Sequence, residues 1–156
     1  GLKAYHLVSA EEEKKVPKLE DYYIDIMCAN LLNREIRRKF QVFVLPNLYG
    51  DIITDEAAQI QGGVGTAGSA NVGARYAMFE AVHGSAPRLI AEGLGEYASP
   101  ESILRAAAML LAHVGKKAQS ESLSRAIDKA ASVLTCDGTA SGAKARDFAD
   151  AVIAAL

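Results

Sequence analysis

Apolar and polar residues alternate along this chain with two periods. From Leu19 to about Arg38, the apolar positions Ile24, Met27, Cys28, Leu31 and Leu32 recur at the three- and four-residue spacing of one helix face. Val42-Phe43-Val44-Leu45 is an unbroken apolar run closed by Pro46, Asn47 and Gly50, which predicts a buried strand ending in a turn. Asp51 to Ile60 then reads as a helix. The stretch from Gln61 to Gly73 holds five glycines, the last of them Gly73, predicting a loop that continues through Ser69–Gly73. Tyr76 to Val82 reads as a second buried strand, ended by His83-Gly84-Ser85-Ala86-Pro87. Ser99 as N-cap and Pro100 at the first helical position start a helix with Ile103, Ala106, Ala107, Leu110, Leu111 and Val114 on its buried face; Gly115 stops it. Lys117 to Leu134 repeats the amphipathic pattern, Thr135 to Gly142 is a polar connection, and Ala143 to Leu156 forms a closing helix. Near the start, Tyr5 to Val8 predicts a short strand and Glu11 to Lys15 a solvated loop. The pattern is that of an α/β chain rich in helix, without repeats.

Composition adds limits. A chain of 156 residues, 50% hydrophobic, makes one ordinary domain or pieces of two. The net charge is −2, and the only basic cluster is Arg34, Arg37, Arg38 and Lys39 on one helix, so no nucleic-acid partner is expected. No apolar run reaches the ~20 residues that cross a bilayer, and the first residues do not read as a signal peptide. A soluble, cytoplasmic chain with no membrane partner is the expectation. Cys28 and Cys136 lie far apart and lack metal-ligand spacing, so neither a disulfide framework nor a zinc site is indicated.

Candidate chemistry begins at Asp51 and Asp55. At i and i+4 they share a helix face, where like charges cost about 0.2–0.5 kcal/mol. No Lys or Arg stands within four residues of either to offset this. Paired carboxylates at a strand end are how proteins hold Mg²⁺ or Mn²⁺ while leaving positions open for substrate. The alternative is that Asp51 complements the helix macrodipole and Asp55 faces water. Asp25 borders the apolar stripe of the first helix beside Tyr22, Ala29 and Leu32, so it needs either a cation or a boundary with water. Gly63, Gly65 and Gly68 satisfy G-x-G-x-x-G, but a helix precedes them and a loop follows, which is not the setting of a dinucleotide fingerprint. Those glycines instead permit unusual backbone, close approach or a hinge. Glu80 within a strand and His83 at its exit point to a site at the carboxyl end of a sheet, or to a satisfied core histidine.

Four motifs occur in order: Asn47-Leu-Tyr-Gly-Asp-Ile-Ile-Thr-Asp55, Gly62-Gly-Val-Gly65, Ser69-Ala-Asn-Val-Gly73 and Phe79-Glu-Ala-Val-His-Gly-Ser-Ala-Pro87. Together they resemble the β-decarboxylating dehydrogenases of isocitrate, 3-isopropylmalate, homoisocitrate and tartrate, over nearly the whole chain. The resemblance implies an α/β fold, the C-terminal half of the isocitrate/isopropylmalate dehydrogenase-like fold, with helices around a mixed sheet. Residues 1–61 would belong to a small dimerisation and metal-binding domain and residues 62–156 to a large cofactor-binding domain. It also implies that Mg²⁺ or Mn²⁺ is held by Asp51 and Asp55 of one subunit with Asp25 of its dimer partner. NAD or NADP would lie against Glu80, His83, Gly84, Ser85, Ala86, Pro87, Arg88, Leu89 and Ser99, with His83–Leu89 wrapping the adenosine half.

Three departures qualify the resemblance. The path after Pro87 is longer than in the family and ends in Ser99-Pro100 in place of Asn-Pro. Arg88 stands where NAD-using relatives place an Asp; a guanidinium suits a 2′-phosphate. Yet the Tyr and Arg that NADP-using bacterial relatives bring from their C-terminal part have no counterpart around Cys136 and Asp137. The third departure is length. The arginines, tyrosine and lysine that grip substrate and move protons belong to the family's first half, so no catalytic residue is assigned here, and a homodimer partner or an N-terminal half is expected. The implied substrate is a small 2-hydroxy acid, with Asn-Leu-Tyr-Gly-Asp and Ser-Ala-Asn-Val-Gly favouring isocitrate over 3-isopropylmalate. A non-catalytic, effector-binding subunit of a hetero-oligomer is the alternative, against which the intact Asp25, Asp51 and Asp55 weigh.

Overall fold

A computed structural model describes residues 20–156; the strand expected at Tyr5–Val8 and the loop at Glu11–Lys15 lie outside the described residues. The chain divides into two compact units, Gly1–Ile60 and Gln61–Leu156.

In the first unit, helix α1 (Ile24–Leu32) buries Met27 and Leu31, as the stripe predicts, but leaves Leu32 exposed. The helix expected to run on to Arg38 is broken at Asn33. The Asn33 backbone is extended, and its side-chain oxygen accepts the N–H groups of Glu35 and Ile36 at 3.0 and 3.2 Å, capping the short helix α2 (Arg34–Arg37). Arg37 Nη1 donates to the carbonyls of Leu31 and Leu32 at 3.1 and 3.3 Å, satisfying the end of α1. One member of the basic cluster thus serves the fold. Helix α3 (Asn47–Gln61) starts earlier than the expected Asp51 and buries Ile53, which joins Met27 and Leu31 in a small core flanked by Ile24, Cys28, Phe40 and Leu45. Tyr22, Phe40 and Phe43 extend it as an aromatic chain with successive ring centroids 5.4 Å apart.

The strand predicted at Val42–Leu45 does not form, and Val42 and Val44 stay 78% and 68% exposed. A strand is stabilised by the ladder it joins, and among the described residues no strand pairs with this segment.

The second unit opens with a 3₁₀ turn, Val64–Thr66, and then departs from the predicted loop. Gly68–Val72 is strand β1, paired antiparallel with β2 (Ala77–Ala81) in a hairpin register that runs from Gly68↔Ala81 to Val72↔Ala77. The Gly73 N–H donates to the Tyr76 carbonyl at 2.9 Å and closes the turn. Four small or polar residues carry little strand propensity; pairing with Ala77–Ala81 overrides it. Among the described residues the sheet is this two-stranded hairpin.

Helix α4 (Pro87–Ala91) and a 3₁₀ turn (Gly95–Tyr97) lead to α5 (Glu101–His113). Ser99 Oγ accepts from the Glu101 N–H at 3.3 Å, so Ser99 does cap the helix although Pro100 occupies the N-cap position. At the other end Gly115 adopts φ 82°, with Gly115 N–H bonded to Ala112 and Lys116 N–H to Leu111, a Schellman stop. The expected buried face of α5 holds at Ala106, with Ala107 and Leu111 half-buried, and is corrected elsewhere. Glu101, Ser102, Ala106 and Ala108 are buried, while Ile103, Leu110 and Val114 are exposed. Close backbone approach decides this: a Cβ on Gly68 would stand 2.6 Å from the Ala106 nitrogen, so the hairpin can seat only on the small-residue row of the helix. Helices α6 (Lys117–Ala131) and α7 (Ala145–Ala155) complete the unit, with Ala126, Ile127, Ala130, Phe148 and Val152 as its core. Arg105 ties α5 to α6 by pairing with Glu101 and Asp128 at 2.8 and 2.7 Å.

Candidate metal and cofactor site

Helix α3 carries Asp51 and Asp55 in its second and third turns, so Asp51 is not the helix-terminal residue that the macrodipole alternative requires. At about 100° per residue, both carboxylates lie about 160° around the helix from Ile53, on the side away from the small core. Both are exposed, and among the described residues neither is held in an ion pair or a side-chain hydrogen bond. Thr54, between them, turns its hydroxyl back to the Gly50 and Asp51 carbonyls at 2.8 and 3.2 Å. Two unpartnered carboxylate groups one helical turn apart are hard oxygen donors with no competing cation, a set that fits Mg²⁺ or Mn²⁺ needing further ligands.

Asp25 is not brought to them. It sits exposed in the first turn of α1, its Oδ1 accepting the Ile26 N–H at 2.9 Å. Among the described residues no group of three or more His, Cys, Asp or Glu side chains is placed to hold a metal ion.

In the second unit, β2 alternates half-buried and exposed positions instead of being buried throughout, and Glu80 is on the exposed face. There it accepts a hydrogen bond from Asn71 Nδ2 across the hairpin at 2.8 Å. His83 follows, exposed and not a core histidine. Its Nδ1 lies 2.9 Å from the Gly84 carbonyl, which can only accept, so Nδ1 carries the proton and Nε2 is the remaining ring position. Gly84 and Ser85 are exposed, and Ala86 is held in the left-handed region at φ 45°, alone in this among the described non-glycine residues. That backbone turns the chain into α4, with Pro87 at its start. Arg88 is 85% exposed and contacts Glu92 at 3.5 Å through Nε, leaving the rest of its guanidinium open. Leu89 points toward Gly138, where a Cβ would come within 3.3 Å of it. Ser99 sits against Gly65 and is spent on its helix cap.

Three further features escape sequence reading. Ser102, fully buried, joins Ala67 and Val82, the residues that flank the open end of the hairpin. Asn71 belongs to a recognised motif but gains a partner only through the strand register. The long path after Pro87 docks on the segment from Thr135 to Lys144: Glu96 pairs with Lys144 at 2.9 Å, Lys144 lies 5.7 Å from the Tyr97 ring, and Gly138 N–H donates to the Tyr97 carbonyl at 3.1 Å. That path thereby links two loops. Burial pushes the Cys136 thiol in this region above its ordinary range, with Asp137, Asp147 and Glu101 adding to the effect.

The sequence pattern of the family described as isocitrate/isopropylmalate dehydrogenase matches residues 3–152. The NADP isocitrate dehydrogenase of Rickettsia prowazekii is 50% identical over 115 residues, 72% of this chain and 23% of that protein. The 3-isopropylmalate dehydrogenase of Methanothermobacter thermautotrophicus is 38% identical over 115 residues, 72% of this chain and 33% of that one. Among solved structures, isocitrate dehydrogenase from Methylococcus capsulatus superposes with a TM-score of 0.80 at 32% identity, covering 93% of this chain and 43% of that chain. The chain thus matches about a quarter to a third of the length of these two curated relatives. With that match spanning nearly all of its length, the chain belongs to the isocitrate/isopropylmalate dehydrogenase family.

Proposed function

We propose that this chain supplies the metal carboxylates and the cofactor loop of a dehydrogenase that oxidises and decarboxylates isocitrate, or a related 2-hydroxy acid, with NADP or NAD. The observation that carries this reading is the exposed pair Asp51 and Asp55, one turn apart on α3, with no cation paired to them among the described residues. A divalent ion bound there would act as a Lewis acid toward the negative charge developing on substrate oxygens. The chain's own part is to present four carboxylate oxygens from a rigid helix. The overall reaction sends a hydride from the carbinol carbon to the nicotinamide, and the resulting ketone, β to a carboxylate, loses carbon dioxide.

The position of Asp25 supports a site completed between subunits, because among the described residues it is not grouped with Asp51 and Asp55 of its own chain. On the second unit, the exposed run His83–Leu89 offers backbone groups and one cation, Arg88. An exposed guanidinium with open N–H groups favours a 2′-phosphate, hence NADP over NAD.

The cofactor assignment is tested by titrating NADP and NAD separately into the chain and into Arg88→Ala. Removing a charge-assisted contact worth about 1.5–3 kcal/mol should weaken NADP binding at least tenfold and leave NAD unchanged. Equal effects on both dinucleotides would remove Arg88 as a phosphate ligand, and no binding of either would remove the cofactor reading of the loop.

A further inference from the structure

We propose that Ser102 is a positioning residue that sets the origin of the loop His83–Leu89; its consequence for ligand binding rests on that loop being the cofactor loop. Ser102 lies in the first turn of α5 and is 0% exposed. Its Oγ accepts the Val82 N–H at 3.0 Å and donates to the Ala67 carbonyl. A hydroxyl has a single proton, so donating in one direction while accepting from another fixes its rotor. The two residues it joins are the ends of the hairpin. Val82 follows the last residue of β2 and precedes His83, while Ala67 precedes the first residue of β1. The strand ladder ends at the pair Gly68↔Ala81, so Val82 N–H and Ala67 C=O lie beyond its last rung. Ser102 acts as an added rung made from a side chain.

The seat of the hairpin does not depend on that hydroxyl. Gly68 packs against the backbone of Ala106, and Gly65 sits within 3.3 Å, measured from an added Cβ, of the Ser99 side chain, so contacts on both sides of Ser102 hold the glycine turn and β1 against α5. What the Ser102 hydroxyl adds is a fixed direction for the chain as it leaves β2. Removing its hydroxyl leaves two half-buried backbone groups without their partner, at the point where the chain turns toward His83. The second unit should therefore remain folded while the loop loses its fixed starting point.

Amide hydrogen exchange of the chain without ligand tests this directly. In Ser102→Ala, the amides from Val82 to Leu89 should exchange about tenfold faster, the value of one typical hydrogen bond, while those of α6 and α7 keep their rates. NADP should bind several-fold more weakly to the same variant. Ser102→Thr, which keeps the hydroxyl, should restore both. Ile127→Val, a core change of comparable cost, should lower the melting temperature without moving either readout. A rise in exchange spread evenly over Gln61–Leu156, including outright loss of the fold, would assign Ser102 to general stability and overturn the proposal. So would a Thr variant that behaves like Ala. If the unsubstituted chain binds no dinucleotide, the cofactor reading fails while the exchange data still decide what Ser102 holds.

Discussion

Gly68 is the position where a single added carbon matters most. Its Cβ would meet the Ala106 nitrogen at 2.6 Å, and the Ala106 Cα and Arg105 carbonyl carbon at 3.0 Å, all backbone atoms inside α5 that cannot rotate away. Gly68→Ala should therefore destabilise the second unit by at least about 1–3 kcal/mol, the usual cost of overpacking. Urea unfolding reads this as a lower midpoint; an unchanged midpoint would mean that β1 does not seat on the Ala106 side of α5. Ala86 is a contrasting case. Its left-handed backbone costs an L-residue about 1–2 kcal/mol, yet it persists in the loop between β2 and α4 where the chain must reverse.

Among the elements, the turn from Thr135 to Ala143 has its own acid sensitivity. It is closed by the Ala143 N–H to the Thr135 carbonyl at 2.9 Å, and Asp137 accepts both the hydroxyl and the N–H of Thr139. Those bonds, the hydroxyl foremost, hold the Asp137 carboxyl below its ordinary value of 3.8. A carboxyl with a lowered folded pKa stabilises the fold above its unfolded value and loses that contribution as pH falls through the folded one. The turn should thus be insensitive to pH near neutrality and loosen only in acid. Thr139→Val should bring the Asp137 pKa back toward 3.8 in a carboxyl-carbon NMR titration. An unmoved pKa would mean that the hydroxyl is not its cause.

Element ends were readable where the signal is local. Ser99 and Gly115 delimit α5 because a cap and a left-handed stop are written in one or two residues. Asn33 carries a cap signal of the same kind, but the long apolar stripe outweighs it when only periodicity is read. Pairing was not readable: Gly68–Val72 becomes a strand through a partner across the Gly73–Tyr76 turn, while the better strand former Val42–Leu45 lacks one among the described residues. The buried row of α5 was misjudged for a related reason. Periodicity picks out Ala106 together with Ile103, Leu110 and Val114, whereas the glycine on the facing strand keeps only Ala106 of these in the contact. Asp51, Asp55 and the run His83–Leu89 are candidates named by their motifs, and the structure adds their exposure, for all but the half-buried Leu89; Ser102 and the Glu96–Lys144 pair carry no such local signal, since their partners are tens of residues away.

On the scale of the whole molecule, the chain is two compact units, one carrying the carboxylate pair on α3 and the other the loop beyond β2. It matches only part of each longer relative, so the claim that it works as a dehydrogenase segment is best tested in the setting of one. The most direct measurement replaces the matching segment of the Rickettsia prowazekii isocitrate dehydrogenase with this chain and follows NADP reduction by isocitrate with and without Mn²⁺. The account predicts Mn²⁺-dependent turnover that falls by at least about 100-fold in Asp51→Asn, a variant that loses a charged ligand. A mixture of Asp25→Asn and Asp51→Asn chimeras should regain part of the activity. A chimera that turns over without added metal, or whose Asp51→Asn variant is as fast as its parent, would contradict the account.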